Sequence, residues 1–243
     1  MEREKLTRGI LDFHAHILPG ADHGSRSLET SLSQLKLLRD AEVAAVVATP
    51  HFYAHEEKSV DSFLAKRQAS AEALLRALPK GETFPPIYLG AEVLVCHGLD
   101  KMEGLEKLCI GDSSIILLEM PFTDWGSGLM ETVEAIVRRG LTPLMAHIDR
   151  YRPDQRALFF ETGGIYFQVN ASALCLPFVR RSFRRMAKDN LFSAIGSDLH
   201  GVPKEGYRTM EKALSYIGRA AADGIRLSSE RMLEGATPFY SGT

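Results

Sequence analysis

At 243 residues, 45% hydrophobic and 25% charged, the chain is long enough to bury a substantial core, as one large α/β domain or two small ones. A formal net charge of −2 without long runs of one sign argues against sequence-independent nucleic-acid binding, which needs a basic surface. No run of about 18 apolar residues is present to span a membrane.

Residues 1–8 lack the apolar core of a signal peptide. The three cysteines, Cys96, Cys109 and Cys175, are odd in number and widely spaced, so they give neither a disulfide framework nor a zinc ribbon. These features predict a cytoplasmic protein. No repeat, low-complexity stretch or linker divides the sequence, which predicts a single domain over residues 1–243.

In chain order, the first strand is expected at 10–14 and runs into His14-Ala-His16. Strand side chains alternate, so the two imidazoles point the same way. A helix follows at 28–40, with Ser27 as its cap and Leu28, Leu32, Leu35 and Leu38 at helical spacing. The second strand, 43–49, leads to His51. A helix at 59–78 stops at Pro79.

The third and fourth strands, 87–92 and 114–119, end in Glu92 and Glu119. A helix at 128–139 closes with Arg138-Arg139-Gly140, basic residues and then a terminating glycine. Strands at 142–147, 165–170 and 192–197 follow, with helical patterns at 177–189 and 207–222. The strand at 142–147 ends in His147, and the last leads into Asp198-Leu-His200.

Several of these strands are continuous apolar runs, as strands covered on both faces must be. Seven rounds of strand and helix predict a (β/α) barrel with its site at the C-terminal strand ends. An open doubly wound sheet is the alternative, but it gathers ligands at a switch point and not from nearly every strand.

Six of the eight histidines, His14, His16, His23, His51, His147 and His200, lie at or just after strand ends. With Glu92, Glu119 and Asp198 they make nine nitrogen or oxygen groups, more than one ion can use. A His and carboxylate set without thiolate favours manganese, then zinc or iron, in a centre of two or three divalent ions. Such a centre suits hydrolysis of a phosphate ester.

These segments resemble the polymerase and histidinol phosphatase (PHP) domain family of metal-dependent phosphoesterases. Within it they are most similar to the bacterial tyrosine phosphatases encoded with capsule and exopolysaccharide synthesis genes. The matching motifs are Asp-Phe-His14-Ala-His16-Ile-Leu-Pro-Gly, Ala-Thr-Pro-His51, Leu-Gly-Ala-Glu92-Val, Leu-Leu-Glu119-Met, Ala-His147-Ile-Asp-Arg150-Tyr, Gln168-Val-Asn170-Ala-Ser and Gly-Ser-Asp198-Leu-His200. They occur in order across residues 10–235.

The resemblance implies a distorted (β/α)7 TIM-like barrel and three ions. His14, His16, Glu92 and Asp198 would hold the first, with Glu92 bridging to a second completed by Glu119 and His147. His51, His200 and His23 would hold the third. Arg150 would reach a phosphate oxygen as a bidentate donor. Asp198 or a nearby histidine would pass a proton to the leaving group after in-line attack by a metal-bridging hydroxide.

The implied substrate is phosphotyrosine on a protein, a bacterial tyrosine kinase of polysaccharide synthesis. A homo-oligomer is hinted at. The sequence departs from the family at Asp22-His23-Gly24, where the relatives carry Asp-Asp-Gly, and Asp22 becomes an orienting group or a turn residue. It departs again after His200, where Lys204 or Arg208 is the candidate second cation.

Two other chemistries compete. A small-molecule phosphatase of the histidinol phosphate type would use the same centre. Cys175-Leu-Pro-Phe-Val-Arg-Arg181 has the Cys-x5-Arg spacing of thiol phosphatases. However, its bulky residues and Pro177 suit poorly a loop that must aim backbone N–H groups at a phosphate.

Overall fold

The computed structural model describes residues 6–242, so residues 1–5, which carry most of the reading of the N-terminal segment, lie outside it. Nine strands, all paired in parallel, follow the order β3-β5-β6-β7-β8-β9-β1-β2-β4. They are β1 (Leu11–Ala15), β2 (Ala45–Ala48), β3 (His51–Phe52), β4 (Ile87–Leu89), β5 (Glu92–Leu94), β6 (Ile115–Glu119), β7 (Thr142–Met145), β8 (Tyr166–Asn170) and β9 (Ala194–Gly196).

Two breaks turn seven expected strands into nine. β2 and β3 are halves of one strand interrupted at residues 49–50, where Pro50 has no N–H to donate. β4 and β5 are halves of another, interrupted at residues 90–91. Because β2 pairs with β4 and β3 with β5, both ends of the order are the same two strands, and the sheet closes into a seven-strand barrel. Hydrogen bonds from Gly90 N to Ala48 O (2.9 Å) and from Glu92 N to Pro50 O (3.1 Å) carry the ladder across the breaks.

The helices are α1 (Leu28–Asp40), α2 (Val60–Arg76), α3 (Ser127–Arg138), α4 (Pro153–Glu161), α5 (Arg180–Lys188), α6 (Arg208–Ile217) and α7 (Arg219–Met232). Ser27 caps α1 by accepting from Thr30 N, as its position predicted. Only 3₁₀ turns, Leu99–Lys101 and Leu105–Leu108, connect β5 to β6, which is one source of the barrel's distortion.

Three helices differ from the sequence expectation, which placed none at 153–161 and one at 207–222. α4 buries only Gln155 and Phe159, so it leaves little apolar periodicity to read. The single helix expected at 207–222 is α6 and α7, divided at Gly218, whose φ of 92° and ψ of 159° suit glycine alone.

An apolar cluster collects Leu11, Phe13, Ala45, Val47, Ile115, Leu117, Leu144 and Ala194 from strands on all sides, which places it inside the barrel. The opposite faces, including Ala15, Val46, Ile116 and Ile195, pack under the helices in the second and larger cluster. The lower interior is therefore filled with apolar side chains, and only the C-terminal strand ends are left to polar groups.

Candidate metal centre

The β1–β2 register shifts between Asp12 and Ala15. Leu11 and Phe13 join the interior apolar cluster, Ala15 joins the outer one, and the irregularity lets His14 turn inward directly after Phe13. Strict alternation would not predict two consecutive inward residues. His14 and His16 still converge, with their Nε2 atoms 3.1 Å apart and both rings almost wholly buried.

Other strand ends complete the cluster. His51 opens β3 and Glu92 opens β5, each just beyond a strand break rather than at the strand's end. Glu92 Oε2 lies 3.1 Å from His14 Nε2, 3.2 Å from His16 Nε2 and 3.1 Å from His51 Nδ1. Its other oxygen lies 2.7 Å from His147 Nε2, which is 3.5 Å from Glu119 Oε1. Asp198 Oδ1 stands 3.5 Å from His16 Nε2, 3.7 Å from His14 Nε2 and 3.3 Å from His200 Nδ1.

Potential ligand atoms within 4.8 Å of one another form four overlapping sets: His14, Glu92 and His147; His14, His16 and Asp198; His16, His51 and His200; His51, Glu92 and Glu119. Eight of the nine groups expected from the sequence thus converge. The ninth, His23, is exposed and belongs to none of these sets. Its ring stacks on that of His51 at 4.9 Å and lies tilted against that of His200, also at 4.9 Å.

The donor set fits cations better than it fits itself. Glu92 Oε2 is buried beside three ring nitrogens yet has no hydrogen bond among the described residues, and neither do His51 Nδ1 or His147 Nδ1. Buried polar atoms are seldom left unpaired. Burial opposes ionisation of Glu92, but His14, His147 and His16 overcome it and hold the carboxyl well below the usual range. Burial and the charge of Glu92 push Glu119 up to about 7, and burial pushes His51 down to about 4. Burial also pushes His147 down and opposes charge on His14 and His16, but the carboxylates around these two push them up. Crowded carboxylates beside imidazoles are a donor set that divalent cations bind.

Among the described residues, two of the four non-glycine positions with positive φ are in this cluster, His147 (φ 30°) and Asp198 (φ 52°). Such backbone persists only where the surroundings hold it. Several of the holding groups were not assigned roles from the sequence. The Gln168 carbonyl oxygen accepts from His147 N (2.6 Å) and lies 3.4 Å from His14 Nδ1. Asn170 donates to Asp198 Oδ2 (2.9 Å) and takes its own backbone hydrogen bond to Asp149, whose burial pushes its carboxyl up to about 6.

Asp12 accepts from Ser197 N and from Tyr207 Oη (2.6 Å), fastening α6 to β1. Asp22 is the orienting group and not a turn residue alone. It lies 2.6 Å from His16 Nδ1 and accepts from His51 N and Gly24 N. The only sequence signal for these groups was their place inside the motifs, because side-chain to backbone bonding carries no periodicity.

Arg150 pairs with Asp198 Oδ2, with its side chain 40% exposed, so the expected phosphate donor stands at the rim. Lys204 and Arg208 do not join it. They line a groove with Leu37, Asp40 and Ala41 at the end of α1, the end that leads into the N-terminal side of β2.

Comparison with known proteins accords with this geometry. The family model for capsular polysaccharide synthesis proteins CpsB/CapC matches residues 10–228. The chain belongs to the CpsB/CapC family. It is 27% identical over 213 residues to the tyrosine-protein phosphatase CpsB of Streptococcus pneumoniae, covering 79% of this chain and 84% of that one. It is 26% identical over 201 residues to the putative tyrosine-protein phosphatase CapC of Staphylococcus aureus, covering 79% and 78%.

Among solved structures it is similar to one from the pair YwqE of Bacillus subtilis and CpsB of Streptococcus pneumoniae, described as unique metal-dependent tyrosine phosphatases. The TM-score is 0.74 at 20% identity, with 96% of this chain and 98% of that one covered. That CpsB/CapC likeness bears out the expected fold.

Proposed function

We propose that this CpsB/CapC chain is a metal-dependent phosphoric monoester hydrolase acting on phosphotyrosine in proteins. The observation that carries the reading is Glu92 Oε2, buried against three imidazole nitrogens without a hydrogen bond among the described residues. His14, His16, Glu92 and Asp198 would hold one ion, and Glu92, Glu119 and His147 a second. His51 and His200, with His23 beside them, would hold a third. Manganese is the first candidate metal. When bound, such ions supply a nucleophile from water at neutral pH and offset phosphoryl charge.

The chain's own residues do the rest. Asp22 fixes the His16 ring through Nδ1, leaving Nε2 to face the centre. Arg150, released from Asp198, presents two N–H groups to a phosphate oxygen pair. Asp198 or a nearby histidine is the candidate proton donor to the leaving group. Burial opposes ionisation of Asp198, but the neighbouring His16, His200, His14 and Arg150 hold its carboxyl well below the usual range. A phenolate, with an ordinary pKa of about 10, leaves with little acid assistance. The Asp198 and His200 side of the centre opens into a cleft lined also by Ala171, Ser172, Leu199 and Pro203, which suits an aromatic ring.

The partner in this reading is a tyrosine-phosphorylated protein of capsular polysaccharide synthesis, a tyrosine kinase of that system first among them, met in the cytoplasm. Purified protein is expected to carry two or three transition-metal ions per chain. It is also expected to hydrolyse phosphotyrosine peptides faster than phosphoserine peptides or histidinol phosphate, with activity lost on chelation. Elemental analysis showing one ion or fewer in fully active protein would remove the mechanism. A preference for histidinol phosphate would redirect the substrate to small molecules.

A further inference from the structure

The β8–α5 connection carries a feature that the proposed centre does not use. Phe178 is 99% exposed and Leu176 55% exposed, on a turn that protrudes from the end of the barrel where the centre lies. Arg180 N donates to Leu176 O (3.0 Å), so the helical phase of α5 already runs through this turn. At about 100° per residue, Phe178, Arg181 and Arg185 then stack on one face, at positions i, i+3 and i+7.

The same half of α5 holds Arg180, Arg184 and Lys188, while Phe183, Met186 and Ala187 are buried on the other side. Arg180 and Arg184 lie over the Tyr216 ring at 5.0 and 5.1 Å. None of the five cations pairs with a carboxylate among the described residues.

We infer that this tip and helix face dock peripherally on an anionic lipid bilayer. The charge is complementary to acidic headgroups, and the apolar group is a protruding side chain rather than a pocket. A lone protruding ring finds burial in a deformable medium, whereas a protein partner would have to offer a matching cavity. Docking by this turn would set the C-terminal end of the barrel, with the candidate centre, toward the lipid surface. The inference does not depend on which ester the centre hydrolyses.

The test is co-sedimentation of the full chain with vesicles of phosphatidylcholine alone or with about one-third phosphatidylglycerol. Binding is expected only to the anionic vesicles, and raising salt to about 0.5 M should release it. Phe178→Ser should weaken partitioning, and Arg181→Gln with Arg185→Gln should weaken it by at least roughly tenfold, on the scale of a fewfold per surface cation. Unchanged circular dichroism and melting temperature would show that the variants fold.

Equal sedimentation of wild type and variants, or no preference for anionic lipid at low salt, would overturn the inference. So would light scattering showing a multiple of the 26.9 kDa chain mass that falls to a single chain in Phe178→Ser, with no vesicle binding, because the tip would then be covered by a second copy.

Discussion

At the scale of single residues, the candidate centre depends on what stands immediately behind the imidazoles. A Cβ on Gly24 would lie 2.1 Å from His16 Cβ, and one on Gly196 would lie 2.6 Å from His14 Cβ. Neither glycine can be replaced without moving a ring. Gly24→Ala is therefore expected to lower metal content and to cut phosphatase activity by at least about tenfold, the usual cost of disturbing a metal site's support. Full metal content by elemental analysis would refute this.

Cysteine chemistry is predicted to be irrelevant. Burial raises the thiols of Cys96, Cys109 and Cys175 above their ordinary range, Cys109 to about 12, so thiolate is scarce at neutral pH. Cys175→Ser should keep nearly all activity, whereas His14→Ala should lose at least about two orders of magnitude. A kinetic comparison giving the reverse order would restore the thiol phosphatase reading. The Cys-x5-Arg segment forms no phosphate loop here: Cys175 ends a 3₁₀ turn, and Arg181 lies on the exposed face of α5.

At the scale of elements, interruption is the recurrent device. Breaking the second and third strands at Pro50 and at residues 90–91 lets His51 and Glu92 begin new, paired half-strands, in register with each other. The irregularity in β1 does the same for His14. The junction of α6 and α7 is a break of another kind. Gly218 occupies a backbone region open almost only to glycine, so Gly218→Ala should destabilise the fold by about 1–3 kcal/mol in denaturant titration while leaving metal content unchanged. A stability change below about 0.5 kcal/mol would mean that the helices re-pack without cost.

At the scale of the molecule, the barrel is divided into an apolar lower interior and an upper interior of imidazoles and carboxylates. The upper half is the expensive part to leave without cations, since its buried charges then face one another. Cation binding should therefore stabilise the whole fold. At a free ion concentration about a hundredfold above Kd, the gain is about 2.7 kcal/mol, which for a chain of this size raises Tm by roughly 5–11 °C. Thermal unfolding of chelated protein before and after adding manganese measures it. An unchanged Tm, with ion uptake verified, would contradict a centre built into the core.

What the sequence determined by itself was the set of strands and the imidazoles and carboxylates that stand at their C-terminal ends. Apolar runs that each end in an imidazole or carboxylate report backbone direction and residue type together, because periodicity and strand termini are local properties. It did not determine how eight of those groups share one space. That required the seven-strand closure, which brings β3 against β5 and so His51 against Glu92.

Nor did the sequence determine the roles of Asp22, Gln168 and Asn170, the outlying position of Lys204 and Arg208, or the stacking of His23. Contacts between a side chain and a backbone group twenty or more residues away, such as Asp22 with His51 N or Gln168 with His147 N, leave no pattern along the chain. They exist only once the strands are side by side.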